Sequence, residues 1–138
     1  MTLTRETVLS ETALKFFQGK NFGHLATIMS DGSPQVTPVW LDLENGQYIL
    51  INTIEDWMKS RNVVRDSRVA ISVLDQSRPY QMVTIRGRVV ETIAGQRADD
   101  HVDFLTKKYL GLDEFPYRNP GENRIILKIK PEHETLDL

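Results

Sequence analysis

Cysteine is absent from these 138 residues. Its absence excludes disulfides, thiolate metal ligands and cysteine nucleophiles, and it fits a reducing compartment such as the cytoplasm. Long apolar runs are missing too, since no stretch approaches the ~20 residues needed to span a bilayer. The opening Met1-Thr2-Leu3-Thr4-Arg5-Glu6 lacks the basic-then-apolar layout of a signal peptide. Histidine is scarce: His24, His101 and His133 fall in three separate predicted elements without ligand spacing, so no metal site is expected. No serine sits in a nucleophile elbow, and neither a phosphate loop nor a dinucleotide fingerprint occurs. The paired carboxylates, Asp99-Asp100 and Glu132 with Glu134, read as solvated charges. A net charge of −2 lacks the basic excess of a nucleic-acid binder. The expectation is one soluble cytoplasmic domain over residues 1–138, with neither nucleic acid nor membrane as partner. With no self-sufficient catalytic machinery in the chain, any chemistry would belong to a bound cofactor.

What is present is a regular pattern of short elements. Residues 10–19 read as a helix with Ser10 as N-cap and Gly19 at its end. Residues 22–29 and 35–43 read as strands around a Ser30-Asp31-Gly32-Ser33 turn, and 48–53 as a third strand after an Asn45-Gly46 turn. A helix is predicted over 56–65, with Trp57, Val63 and Val64 partly buried. Strands follow at 68–74 and 80–91, then a helix at 94–110 with His101, Val102, Leu105 and Tyr109 at helical spacing. An aromatic and proline-rich loop leads to a last strand at 123–130 and an acidic tail. Six strands in hairpins with interspersed helices imply an α+β protein, mainly β, whose antiparallel sheet curls into a barrel. Pro38 cannot donate to a strand ladder, so its strand must be an edge there or bulge.

Charge is distributed unevenly. Between residues 59 and 88 stand seven bases (Lys59, Arg61, Arg65, Arg68, Arg78, Arg86, Arg88) and two acids, a local balance of +5 in a chain of net −2. Such a cluster reads either as a solvated face or as a site for a small anion. Thr53 at a strand end, Lys59 in the first turn of the next helix and that helix's unpaired N–H groups would together suit a phosphate. Arg61 lies about 200° round the helix from Lys59 and would meet another part of a ligand or form a salt bridge.

These residues match a known pattern. The run Ala26-Thr27-Ile28-Met29-Ser30-Asp31-Gly32-Ser33-Pro34-Gln35-Val36-Thr37-Pro38-Val39-Trp40 resembles the opening hairpin of the split-barrel flavin-binding proteins, the pyridoxamine-phosphate-oxidase-like superfamily. Residues 53–69, with Lys59-Ser60-Arg61-Asn62-Val63-Val64-Arg65, look like its phosphate segment. Arg78-Pro79-Tyr80, Ile85-Arg86-Gly87-Arg88-Val89 and the run from Tyr109 to Glu132 are similar to the B branch of the flavin/deazaflavin oxidoreductases, many of which use coenzyme F420. The resemblance implies a split β-barrel of the FMN-binding-protein type, antiparallel, assembled as a homodimer with two cofactor sites between subunits. By position, Thr37, Pro38, Val39 and Trp40 would line the cofactor ring, and Asn52, Thr53, Lys59 and Arg61 would hold its phosphate. Tyr80 and Gln81 would approach from the next strand pair, and the loop 115–118 would cover the site from the partner chain. The plainer role for Trp40 and Trp57 is packing. The surplus arginines offer a basic track to the acidic tail of F420, which favours F420 over the alternative, FMN. The implied activity is hydride transfer between reduced F420 and a small organic substrate. The alternatives are an FMN-dependent oxidase or reductase and a non-catalytic flavin-binding protein.

Overall fold

The computed structural model describes residues 9–138; the leader reading of residues 1–6 lies outside the described residues. Ser10 opens helix α1 (Glu11–Gln18), its hydroxyl accepting the Ala13 N–H at 3.1 Å, and Gly19 closes it. Alternating sequence then gives β1 (Gly23–Ile28) and β2 (Pro34–Val39), followed by β3 (Asp42–Glu44) and β4 (Tyr48–Ile54). Asn45 and Gly46 both take positive φ, 54° and 65°, as the turn between β3 and β4 demands. Helix α2 (Met58–Arg65), β5 (Arg68–Asp75), β6 (Arg78–Ile93), α3 (Gln96–Leu110) and β7 (Arg124–Asp137) complete the chain. Among the described residues no helix is long and apolar enough to cross a membrane.

The seven strands form one antiparallel sheet in the order β2-β1-β5-β6-β7-β4-β3. Its two edge strands, β2 and β3, are consecutive in sequence and separated only by Trp40 and Leu41. A flat sheet of this width would hold its edges nearly 30 Å apart at about 4.8 Å per strand. The link from Val39 to Asp42 spans at most about 11 Å. The sheet must therefore curl until its edges meet, and it does so around a core that includes Phe17, Leu25, Leu41, Ile51, Ile71 and Leu127. Alternation along β4 sends Ile49 and Ile51 into that core and Leu50 to the outer face, where it meets Ala98 of α3 and Ile126 of β7.

Three expectations are corrected. The predicted strand 35–43 is two strands, because the chain leaves one sheet edge at Trp40 and joins the other at Asp42. The supposed acidic tail is strand: His133–Asp137 pair with Arg86–Met82 across the long β6–β7 ribbon. Helix α2 leaves Trp57 50% and Val64 83% exposed. Its buried face is mostly polar instead, made of Lys59, Ser60, Asn62 and Val63. Ser60 Oγ donates to the Ile54 carbonyl (2.6 Å), Asn62 Nδ2 to Thr27 Oγ1 (2.9 Å) and Arg65 to the Ile28 carbonyl (2.8 Å). These hydrogen bonds, rather than an apolar stripe, seat α2 on β1 and on the end of β4. Pro38 lies in an edge strand, as its missing N–H requires.

Within the β6–β7 ribbon a Cβ on Gly87 would intrude on the Lys130 carbonyl and the Pro131 backbone, at a register shift between Arg86 and Gly87. Gly87→Ala is expected to cost about 1–3 kcal/mol or more, because backbone on both strands must move. Urea denaturation checks this; an unchanged midpoint would show that the ribbon is slack there.

Candidate functional site

The barrel closure leaves a cleft of about 340 Å³ beside the Trp40–Leu41 crossing. Pro38, Val39 and Trp40 form one wall at the end of β2. The Trp40 indole stacks flat on Tyr109, 5.1 Å between centroids and 5° between planes, and Phe115 meets it edge-on at 6.2 Å. Tyr109 is itself pinned, its hydroxyl accepting the Leu41 N–H (3.0 Å) and donating to the Asn21 carbonyl (2.6 Å). Burial pushes the Tyr109 phenol up to about 12, so it stays protonated and serves as a fixed platform. A rigid aromatic wall of this kind is suited to a planar ring.

The same cleft has cations in its lining. Lys59 is 9% exposed, its ammonium 5.0 Å from the Trp57 ring centroid, and it makes no ion pair among the described residues. Burial holds its pKa below the ordinary lysine value. Thr53 Oγ1, in the lining of the same cleft, is buried without a hydrogen-bond partner. The N-terminus of α2 has no side-chain cap and no acid in its first turn. A desolvated cation, an orphaned hydroxyl and uncapped helix N–H groups are each costly alone and are all satisfied by an anion. The residues present therefore fit a planar ring carrying a phosphate. On the α3 side Arg124 is half-buried, with its guanidinium 4.6 Å from the Phe115 centroid and Nη1 donating to Asn52 Oδ1 at 3.3 Å.

Of the residues singled out in the sequence, Pro38, Val39, Trp40, Asn52, Thr53 and Lys59 line this cleft. Thr37 adjoins it on β2, its hydroxyl buried and unpartnered, without entering the lining. Arg61, expected to hold the phosphate, meet another part of the ligand or form a salt bridge, is instead exposed on α2 and outside the lining, because it lies on the helix face away from Lys59. It makes no ion pair among the described residues. Tyr80, 76% exposed, and Gln81 lie at the start of β6, outside the lining. Phe115 closes the cleft from the same chain. The basic cluster is dispersed rather than a single track. Arg65 is tied to Ile28 and Asn62, Arg68 to Asp66, and Arg88 to Glu132. Arg68, Arg86 and Arg88 line a different groove with Ala26 and Ala70. Sequence reasoning missed Phe22, Trp57, Val102, Leu105 and Arg124 as lining residues. Arg124 begins the same outward row as Ile126 and Lys128, which was the available signal. Among the described residues no three histidines, cysteines or acids gather as metal ligands.

Comparison with known proteins agrees with this geometry. The sequence matches the family described as pyridoxamine 5'-phosphate oxidase over residues 9–136. A search of curated proteins found no match. Among solved structures, an F420 reductase is 25% identical with a TM-score of 0.79, the match covering 92% of this chain and 98% of that one. A conserved hypothetical protein from Mycobacterium tuberculosis is 22% identical (TM-score 0.73; 99% and 89% covered). A putative pyridoxamine 5'-phosphate oxidase from Lactobacillus delbrueckii is also 22% identical (TM-score 0.67; 96% and 97% covered). With its curled antiparallel sheet and three helices, the chain belongs to the pyridoxamine 5'-phosphate oxidase family and shares the split β-barrel of these relatives.

Proposed function

We propose that this protein is an oxidoreductase that binds F420 in its cleft and serves hydride transfer between that cofactor and a small organic substrate. The observation that carries the reading is the desolvated, unpaired Lys59 beside the orphaned Thr53 hydroxyl, at one end of a cleft walled by Trp40. Preference for F420 over FMN is supported by the similarity to an F420 reductase. When bound, F420 supplies two-electron hydride chemistry at a ring carbon. The chain's own residues bind and orient: Lys59, Thr53 and the α2 N-terminus hold the phosphate, and Pro38 to Trp40 present backbone and indole to the ring. Phe115, Val102 and Leu105 exclude water from the α3 side. A homodimer belongs to the same reading. The edge strand β2 presents an unpaired ladder with Val36 59% exposed, a surface that a second subunit would protect.

A second reading, a non-catalytic flavin-binding protein with FMN as ligand, is favoured by one feature. The hydroxyl of Tyr109, against which Trp40 stacks, is fully engaged, and Tyr80 stands outside the cleft, so neither is poised to give a proton. Titration of the purified protein with F420 and with FMN, followed by fluorescence, separates the readings. F420 is expected to bind at micromolar concentration or tighter and FMN more weakly. FMN alone binding tightly would reject F420 and move the protein to an FMN-binding role, catalytic or not, and neither binding would reject both.

Two predictions concern Lys59. Lys59→Ala should weaken cofactor binding about 10- to 150-fold, equivalent to about 1.5–3 kcal/mol for a charge-assisted hydrogen bond; unchanged affinity would remove Lys59 from the site. Lys59→Met should stabilise the cofactor-free protein by about 0.5–2 kcal/mol at neutral pH, as function-relieving substitutions commonly do. The sign follows from burial, which lowers the folded-state pKa of Lys59 below its unfolded value. The cost of burying the charge is fully present below the folded pKa and disappears as pH rises through the unfolded pKa. The advantage of the methionine should shrink on the alkaline side, and chemical denaturation at pH 7 and above pH 10 measures it.

A further inference from the structure

We propose that Arg124 is a second oxyanion anchor in the cleft, separate from the Lys59 end, and that it takes the carboxylate of a small apolar or aromatic substrate. The proposal rests on the reading of the cleft as a cofactor site and adds the class of molecule that would meet the cofactor there.

Register separates the two cations. Arg124 pairs with Ile54, Ile125 with Thr53 and Ile126 with Asn52. Cross-strand partners share a face of the sheet and successive residues alternate. Thr53 thus lies on the barrel-interior face, with Ile125, whereas Asn52 and Arg124 lie on the face covered by α3, with Ile126. The cleft takes lining from both faces of β4 at its end, Thr53 from one and Asn52 from the other, and holds Lys59 and Arg124 in the same lining. Each has its own aromatic support, Lys59 over Trp57 and Arg124 over Phe115.

Arg124 is also aimed. Asn52 Nδ2 donates to the Ala98 carbonyl at 2.9 Å, and because a carbonyl can only accept, the amide nitrogen must face α3. The same nitrogen lies 3.2 Å from His101 Nδ1, which therefore accepts and leaves its Nε2–H to meet Asp42 Oδ2 at 2.9 Å. The amide oxygen of Asn52 is left for Arg124 Nη1, at 3.3 Å. One guanidinium donor of five is thereby used, and the others remain for the cleft. The neighbouring acids have other partners: Arg118 holds Asp103 and Asp99, Asn119 donates to Glu122 at 2.9 Å, and no described carboxylate pairs with Arg124. Burial lowers the Arg124 pKa from the usual arginine value, with Glu122 and Asp99 opposing and Arg118 assisting at longer range. A half-buried guanidinium that shares its lining with Val102, Leu105 and Phe115, with free donors and no ion pair among the described residues, is matched by a planar carboxylate on an apolar body.

Benzoate and its neutral isostere benzamide are the probes, titrated by calorimetry into the full chain with and without saturating cofactor. Benzoate is expected to bind at least about tenfold more tightly than benzamide, as a charge-assisted bidentate contact implies. Arg124→Gln should abolish that preference and Arg124→Lys restore part of it, while FMN and F420 affinities stay within about twofold. Equal binding of the two probes, or benzoate binding unchanged by Arg124→Gln, overturns the proposal. Weakening of F420 but not FMN would assign Arg124 to the cofactor's acidic tail, and weakening of both to its phosphate; either also overturns it. Cofactor binding without any Arg124-dependent benzoate binding overturns the anchor and leaves the proposed function standing. Arg124-dependent benzoate binding in a protein that takes neither cofactor supports the anchor and rejects the cofactor reading.

Discussion

The two-residue crossing at Trp40–Leu41 is the constraint on which the rest depends. It joins opposite edges of a seven-stranded sheet, so the sheet has no freedom to stay open. Leu41 is fully buried, its N–H bound by Tyr109 and its carbonyl by Lys108, which ties the crossing to α3. Gly23 makes room for it: a Cβ there would stand 2.7 Å from Leu41 Cδ2. Trp40 faces the other way, into the cleft, because adjacent extended residues point to opposite sides. One dipeptide thus closes the barrel with one side chain and walls the site with the next. Closure and site are the same event.

Around that crossing the chain departs from ordinary core building. Helix α2 turns lysine, serine and asparagine inward and is seated by hydrogen bonds, where a purely structural helix would present leucine or valine. Among the described residues, Thr53 buries a hydroxyl without a partner and Lys59 buries a charge without a counterion. The orphaned hydroxyl and the unpaired charge each destabilise the empty barrel, and the two line the same cleft. The large apolar core formed by α1 and the strands can carry this cost locally. Local conflicts of this kind gather at functional sites because the missing partner is a ligand.

Much of this was legible in sequence. Period-two alternation located most strands, the Asn45-Gly46 pair its turn, and the Ser10 and Gly19 signals the first helix, since each is a local effect of backbone geometry. The split of residues 35–43 was not, because Val36 to Leu43 reads as one strand whichever sheet edge it serves. The extension of β7 was hidden by Pro131 and by charges on a ribbon whose outer face is solvated. In the site, Thr53 and Lys59 were found as a strand end followed by the first turn of a helix, and Pro38 to Trp40 and Asn52 through the resemblance to the split-barrel family. Arg124 was missed although its outward row with Ile126 and Lys128 is visible in sequence, because only the β4–β7 register shows that this row begins at the cleft.

The charge cluster shows why density along the chain is a weak guide to a binding site. Of seven bases between residues 59 and 88, only Lys59 lines the cleft, and its partner cation, Arg124, lies well outside that interval. The other bases are either bound to carboxylates and carbonyls or directed to solvent and a second groove. An exposed arginine is screened and already hydrated, so another anion gains little from it. A cation that has lost its water and found no acid gains much more. The side chains that matter here are therefore distinguished by what they lack. Burial without a partner, a property of the fold, selects them from the many charges that the sequence displays.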